Sequence, residues 1–208
     1  MRKQHWLVGL GLLGMVGLGS SAYAGFEKGD ILFRGRLIYI EPTGDSDSVG
    51  GLGTVKADGA LTGEVDLTYM FTKNIGTELI VATASHDVHW DKGGLPGKVA
   101  ETSILPPTLT LQWHFMPDHK RFRPYLGVGL NYTHFYDIDS SYGDLDLDDS
   151  WGPAAQAGVD VMIKENMFVN FDVKYIRIVT EGSLPGVDNK FDVDINPVVV
   201  GVGIGTKF

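Results

Sequence analysis

The chain has 208 residues, 43% of them hydrophobic and 21% charged, with 28 glycines and no cysteine. It is too apolar for a disordered chain and too rich in glycine for a helical bundle, and the lack of cysteine excludes disulfides and thiolate metal centres. A formal net charge of −9 at pH 7 argues against a nucleic-acid partner.

Arg2 and Lys3 precede an apolar stretch from Leu7 to Gly19, and Ala22-Tyr23-Ala24 offers small residues where a signal peptidase reads them. The pattern predicts a signal peptide over 1–24, cleaved after Ala24, and a single domain over 25–208. Its apolar run is short of the roughly 20 residues of a membrane-spanning helix. The literal GxGxxG from Gly9 to Gly14 lies inside this segment, follows no strand, and is not a nucleotide loop. Removing Arg2 and Lys3 leaves 15 basic residues against 26 acidic ones, a net charge near −11.

From residue 25 onward apolar and polar residues alternate with period 2, the mark of strands between two different environments. In "ILFRGRLIYI" Ile31, Phe33, Leu37 and Tyr39 oppose Arg34 and Arg36, and in "LTGEVDLTYMF" Val65, Leu67, Tyr69 and Phe71 oppose Glu64 and Asp66. Leu79 and Val81 oppose Glu78 and Ile80; Leu109, Leu111, Trp113 and Phe115 oppose Thr108, Thr110, Gln112 and His114. Leu126, Val128, Leu130 and Tyr132 oppose Gly127, Gly129 and Asn131, and Trp151, Ala155, Ala157 and Val159 oppose Gln156, Gly158 and Asp160. Val169, Phe171, Val173 and Tyr175 oppose Asn170, Asp172 and Lys174, and finally Val198, Val200, Val202, Ile204 and Phe208 oppose Gly201, Gly203 and Gly205. The pattern predicts eight strands.

Short turns near residues 72–74, 116–120 and 164–166 alternate with long polar loops near 42–60, 86–104, 136–150 and 180–192. An even number of strands, with long loops at one end and tight turns at the other, is the layout of an outer-membrane barrel. The apolar faces carry aromatics towards both ends, as the two interfacial girdles of a barrel do. The opposite faces carry charges that a sandwich core would hold only at a cost of several kcal/mol per unpaired ion. A soluble lipocalin-like barrel would turn that charged stripe outward and leave the girdles without purpose. The predicted fold is therefore all-β: an eight-stranded antiparallel transmembrane β-barrel with long extracellular loops and short periplasmic turns.

The stretches "NIGTEL", "LPPTLTLQW", "FRPYLGVGLNYTHFY" and "DSWGPAAQAGVD", with the terminal Phe208, resemble the OmpW family of small outer-membrane proteins across nearly the whole mature chain. The resemblance implies an outer-membrane channel that passively admits small hydrophobic molecules, in some members alkanes and aromatic hydrocarbons. It implies no cofactor. The expected partners are outer-membrane lipid and lipopolysaccharide, small hydrophobic solutes, and the barrel assembly machinery, for which Phe208 is the expected recognition signal.

An eight-stranded barrel is narrow and filled by side chains, so a water-filled pore is not expected. Arg34, Arg36, Glu64, Asp66, Glu78 and Lys174 are expected to face the lumen and bridge it, while Ala82, Ala84, Gly127, Gly129, Gly201 and Gly203 leave room locally. Pro106 and Pro107 remove two consecutive donors at the start of the fourth strand, which must interrupt pairing with the third. Such a gap is a seam through which an apolar solute leaves sideways into lipid, with Ile80 and Thr108 facing the lumen beside it.

Other signals carry less. Asp144, Asp146 and Asp148 lie in an acidic loop that lacks the glycine turn and closing Glu of a Ca²⁺ loop, so it reads as solvated surface. The histidines show no HExxH spacing, and no GxSxG occurs. Two alternatives stay open: a closed barrel acting through its loops in a structural or receptor role, and a lipid-modifying enzyme, for which His134 is the available catalytic candidate.

Overall fold

The computed structural model describes residues 25–44, 46, 53–93, 98–140, 145–183 and 190–208. The predicted signal peptide over 1–24 lies outside them. Among the described residues there are fourteen β-segments: β1 Ile31–Glu41, β2 Gly53–Ala57, β3 Ala60–Met70, β4 Ile75–Ala82, β5 Ala84–Gly93, β6 Lys98–Leu105, β7 Thr108–His114, β8 Phe122–Ser140, β9 Asp146–Leu147, β10 Ser150–Met162, β11 Met167–Ile176, β12 Val179–Ser183, β13 Phe191–Asp194 and β14 Val198–Lys207. They form eight staves: β1; β2 with β3; β4 with β5; β6 with β7; β8; β9 with β10; β11 with β12; and β13 with β14.

Every neighbouring pair of staves is antiparallel. β1 pairs with β3 through Arg34↔Asp66 and Arg36↔Glu64, and with β14 through Arg36↔Gly203 and Glu41↔Val198. The last pairing joins first stave to last and closes the sheet into an eight-stranded barrel, so the wall presents no free edge along its lower half. The turn after β3 is tied by the Phe71 amide donating to the Ile75 carbonyl at 2.8 Å, and the turn after β10 by Ile163 donating to Met167 at 2.9 Å.

Alternation in the sequence becomes alternation in exposure. Leu37 is 54% exposed, Val128 65% and Ile204 57%, whereas Arg34 between Phe33 and Gly35 is fully buried. An inverted arrangement, with the lumen polar and the outer wall aliphatic, is what hydrocarbon selects around a barrel. Phe71, Trp113, Phe115, Phe122 and Phe208 ring the short-turn end on the outside, and Tyr39, Trp151 and Tyr175 ring the other.

The predicted long polar loops are in large part strand. β2, β5, β6, β9, β12, β13 and the outer end of β8 occupy the stretches expected as loops. β8 alone has 19 residues, a length of about 60 Å along the strand, or roughly 45 Å along the axis of a tilted barrel. The apolar band is about 25 Å tall, so the staves continue beyond it into water. Polar sequence there satisfies its backbone by pairing, and polarity alone does not distinguish such an extension from a loop.

Candidate functional site

The lumen is layered from the short-turn end outward. At the bottom Phe26, just before β1, is fully buried; its amide donates to the Pro117 carbonyl at 3.1 Å. Its ring meets His114 and Phe168 edge-on at 5.3 and 6.4 Å, and the Arg123 guanidinium lies 4.3 Å from its centroid. Leu32, Met70, Met162 and Phe168 complete this apolar cork.

Above the cork lies a charged layer. Arg34 grips both oxygens of Asp160, with Nε to Oδ1 at 3.2 Å and Nη2 to Oδ2 at 2.9 Å, and its Nη1 donates to Asp66 at 2.9 Å and Thr68 at 2.7 Å. Arg36 pairs with Glu64 and Asp66 at 2.7 Å and with Glu78 at 3.1 Å, while its Nε donates to Asn170 at 2.6 Å. Lys174 reaches Glu64 at 2.7 Å and Asp172 at 2.9 Å. Gln112 and Gln156 donate to the second oxygen of Glu78 at 2.8 and 2.6 Å, and the Tyr125 hydroxyl donates to Asp172 at 2.7 Å. Seven staves contribute side chains to this mesh.

The eighth contributes glycines. A Cβ on Gly203 would run into the Gly35 carbonyl, and one on Gly205 into the Phe168 ring. The glycines expected to leave room do not leave any: Arg36 and Ile38 lie against Gly201, Gln156 covers Gly127, and Gly129 is closed by the backbone of Leu109 and Thr110. The small residue is needed because a neighbour already occupies the volume.

Further out the same lumen faces turn aliphatic. Arg36 is followed inward-facing by Ile38 and Ile40, Glu78 by Ile80 and Ala82, and Lys174 by Ile176 and Ile178. With Ile104, Pro106, Pro197 and Val199 they line a chamber whose floor is Glu64, Thr108 and Lys174. Its open volume is about 20 Å³, so an organic solute displaces side chains to occupy it. A second space lies above, lined by Val55, Val88, Phe135, Leu147, Val193 and Ile195 among others, and Val55, Val99 and Phe191 form an apolar cluster at the outer mouth. The chamber wall is aliphatic, the space above it mixes apolar side chains with Lys56, Thr102, Thr180 and Asp194, and the lumen below is filled.

Pro106 lines the chamber and Pro107 follows it, between β6 and β7. The ladder between the third and fourth staves stops at Ile80↔Thr108 and resumes at Ala84↔Ile104. Ile80 and Thr108 are both buried in the lumen at the lower edge of this interruption. On the fifth-stave side contact persists, because the Tyr132 amide donates to the Pro107 carbonyl at 3.0 Å and the Asn131 amide group donates to Thr108 Oγ1 at 2.9 Å.

The remaining candidates lie apart from the chamber. His134 is on the outer face at the rim, with Nδ1 2.8 Å from Asp149, which also accepts the Tyr132 hydroxyl. That hydroxyl, and then His134, hold the Asp149 carboxyl below the usual aspartate range. Asp144 lies outside the described residues; Asp146 is in β9, and the Asp148 carboxylate pairs with Lys190 at 2.8 Å. Phe208 is exposed on the outer wall, its backbone exchanging hydrogen bonds with Ile31 at 2.9 and 3.1 Å where the barrel closes.

Sequence reasoning missed the cork and the aliphatic half of the lumen. Phe26 precedes any alternating pattern and carries no signal of its own. The aliphatic half was legible: on the strand of Arg34 and Arg36 the same parity holds Ile38 and Ile40, and the change from charged to aliphatic recurs on the staves of Glu78 and Lys174.

The sequence pattern of the OmpW family matches residues 27–208. The chain is 38% identical to outer membrane protein W of Vibrio cholerae, covering 95% of this chain and 97% of that protein. It is 28% identical to the dibenzothiophene metabolism operon protein PahQ of Pseudomonas aeruginosa, over 76% of each. The crystal structure of the outer membrane protein OprG from Pseudomonas aeruginosa superposes with a TM-score of 0.80 at 35% identity, covering 88% of this chain and 98% of that one. With its closed eight-stranded wall, this chain is an outer-membrane β-barrel that belongs to the OmpW family.

Proposed function

We propose that this barrel admits small apolar solutes from outside the cell, holds them briefly in the aliphatic chamber, and releases them sideways through the wall into the membrane. The observation that carries this reading is the layering of the lumen: an aliphatic chamber beneath a largely apolar mouth, closed below by the Arg34–Arg36 layer and the Phe26 cork. An apolar solute gains nothing by continuing into buried charge, and its exit into hydrocarbon is favourable. The interrupted ladder at Pro106 and Pro107 stands beside the chamber, where such an exit is needed. Lipopolysaccharide obstructs direct partitioning, so a protein path to the inner part of the membrane speeds uptake without an energy source. The relative named for a dibenzothiophene operon fits an apolar aromatic solute.

The reading is tested with vesicles whose outer leaflet is lipopolysaccharide, using the fluorescence of N-phenylnaphthylamine as it reaches hydrocarbon. The barrel should raise the initial rate for this probe and leave that of a polar dye of similar size unchanged. Replacing Pro106 and Pro107 with residues that donate to the ladder, Pro106→Thr with Pro107→Val, should reduce the rate several-fold. Equal rates with and without the barrel refute the uptake reading, and an undiminished rate in the proline variant refutes the seam.

A further inference from the structure

The wall beside the chamber is interrupted on a second flank. Between the second and third staves the ladder ends at Glu64↔Ala82 and resumes at Ala57↔Val88, just after the Asp58 amide donates to the Asp87 carbonyl at 2.8 Å. Thr83, between β4 and β5, therefore lies beside both interruptions and has no ladder partner on either flank. Two hydroxyl groups take the place of the ladder. Thr62 Oγ1 donates to the Thr83 carbonyl at 2.7 Å, and Thr83 Oγ1 shares a hydrogen bond of 2.5 Å with the Tyr136 hydroxyl, which reaches from β8 across the fourth stave on the outer face. The inward side chains either side of Thr83 are those of Ala82 and Ala84, so only methyl groups separate this strip of wall from the lumen.

We propose that the strip around Thr83 is the moving leaf of the lateral portal, that the hydroxyls of Thr62 and Tyr136 are its latches, and that their release widens the proline seam by freeing the leaf on its second-stave flank as well. This rests on the uptake reading above. A ladder hydrogen bond broken against hydrocarbon leaves a backbone donor and acceptor unsatisfied. A hydroxyl rotates and donates elsewhere, so opening a leaf held by hydroxyls strands one acceptor, the Thr83 carbonyl, and no backbone donor. The outward neighbours at this height, Tyr136 and His134, are polar and aromatic, the residues of the boundary between headgroups and hydrocarbon. A portal there delivers its solute just beneath the polar layer of the outer leaflet.

The test removes the hydroxyls and keeps the shapes: Thr62→Val with Tyr136→Phe, reconstituted as the full barrel and checked for folding by heat-modifiable gel migration. Loss of one ordinary hydrogen bond shifts an equilibrium about fivefold, so initial uptake of N-phenylnaphthylamine should rise by roughly that factor or more in the double variant. Amide hydrogen exchange over 82–87 should quicken, with the Arg34 region of β1 unchanged. Unaltered exchange over 82–87 overturns the latches whatever uptake does. Faster exchange with uptake equal to that of the parent overturns the portal while leaving the uptake reading in place. A parent barrel that does not raise the probe's rate refutes the uptake reading itself, and the exchange result then reports the latches alone.

Discussion

Replacing Arg34 by methionine tests what holds the floor of the lumen. The side chain is fully buried, grips Asp160 through two hydrogen bonds, and pairs with Asp66, while its guanidinium lies 5.5 Å from the Tyr125 ring centroid and 5.4 Å from that of Phe168. In the variant Asp66 keeps Arg36 at 2.7 Å, whereas Asp160 loses its two-pronged guanidinium and keeps the Asn170 amide group at 2.8 Å, with Arg123 as its cross-strand neighbour. Removing one partner of a buried ion pair destabilises by about 3–5 kcal/mol because the other charge stays in low dielectric, or roughly two to three and a half powers of ten in the folding equilibrium. Reversible urea unfolding in lipid vesicles, followed by tryptophan fluorescence, measures it. Arg34→Met combined with Asp160→Asn removes the stranded carboxylate as well and should lie within about 2 kcal/mol of the parent, since methionine and an amide fill similar volume without unpaired charge. A loss below about 1 kcal/mol in the single variant, or a double variant no better than the single, would refute the view that the mesh depends on mutual charge satisfaction.

The cork and the outer wall give two further tests. Phe26→Ala should lower stability by about 3 kcal/mol, at the small end of the range for buried aromatics because the segment is terminal and relaxes, yet planar-bilayer ion conductance should stay at baseline with the Arg34–Arg36 layer intact; a rise in conductance would make Phe26 the true seal. Val202 faces lipid between Leu37 and Phe171, and Val202→Arg should cost about 2–4 kcal/mol in the same urea assay, a loss that would be absent if this face were covered by water.

Which face each residue takes was legible in the sequence, and it follows from local geometry. Side chains on a strand alternate, so Arg34 and Arg36 must share a side opposite Phe33 and Leu37. Once hydrocarbon is assigned to the aliphatic side, the lumen residues and their cross-strand partners Asp66 and Glu64 follow. The eight staves and the closed barrel were accessible by the same route, and the family through the resemblance carried by stretches such as "LPPTLTLQW". Depth was less accessible. Whether a lumen residue lies in the cork, the charged layer or the chamber depends on how each stave is staggered against the next, and that stagger is set by pairings between distant residues such as Arg36↔Gly203.

Three features belonged to the tertiary structure alone. Phe26 becomes a cork because the closed barrel offers it a pocket between Phe168 and His114, and no periodicity marks such a residue. The polar stretches beyond the membrane become strand because their neighbours already stand paired on either side. Proline announces one interruption of the wall, since it lacks a donor. The other, beside Thr83, falls between residues fully able to pair, and arises because the staves on its two sides resume their ladders at different heights. Sequence therefore determined what faces lipid and what faces the lumen, which is a property of each strand. Tertiary structure decided where the lumen widens into a chamber, where it is filled and where the ladder is interrupted, because those depend on the relative heights of several strands at once.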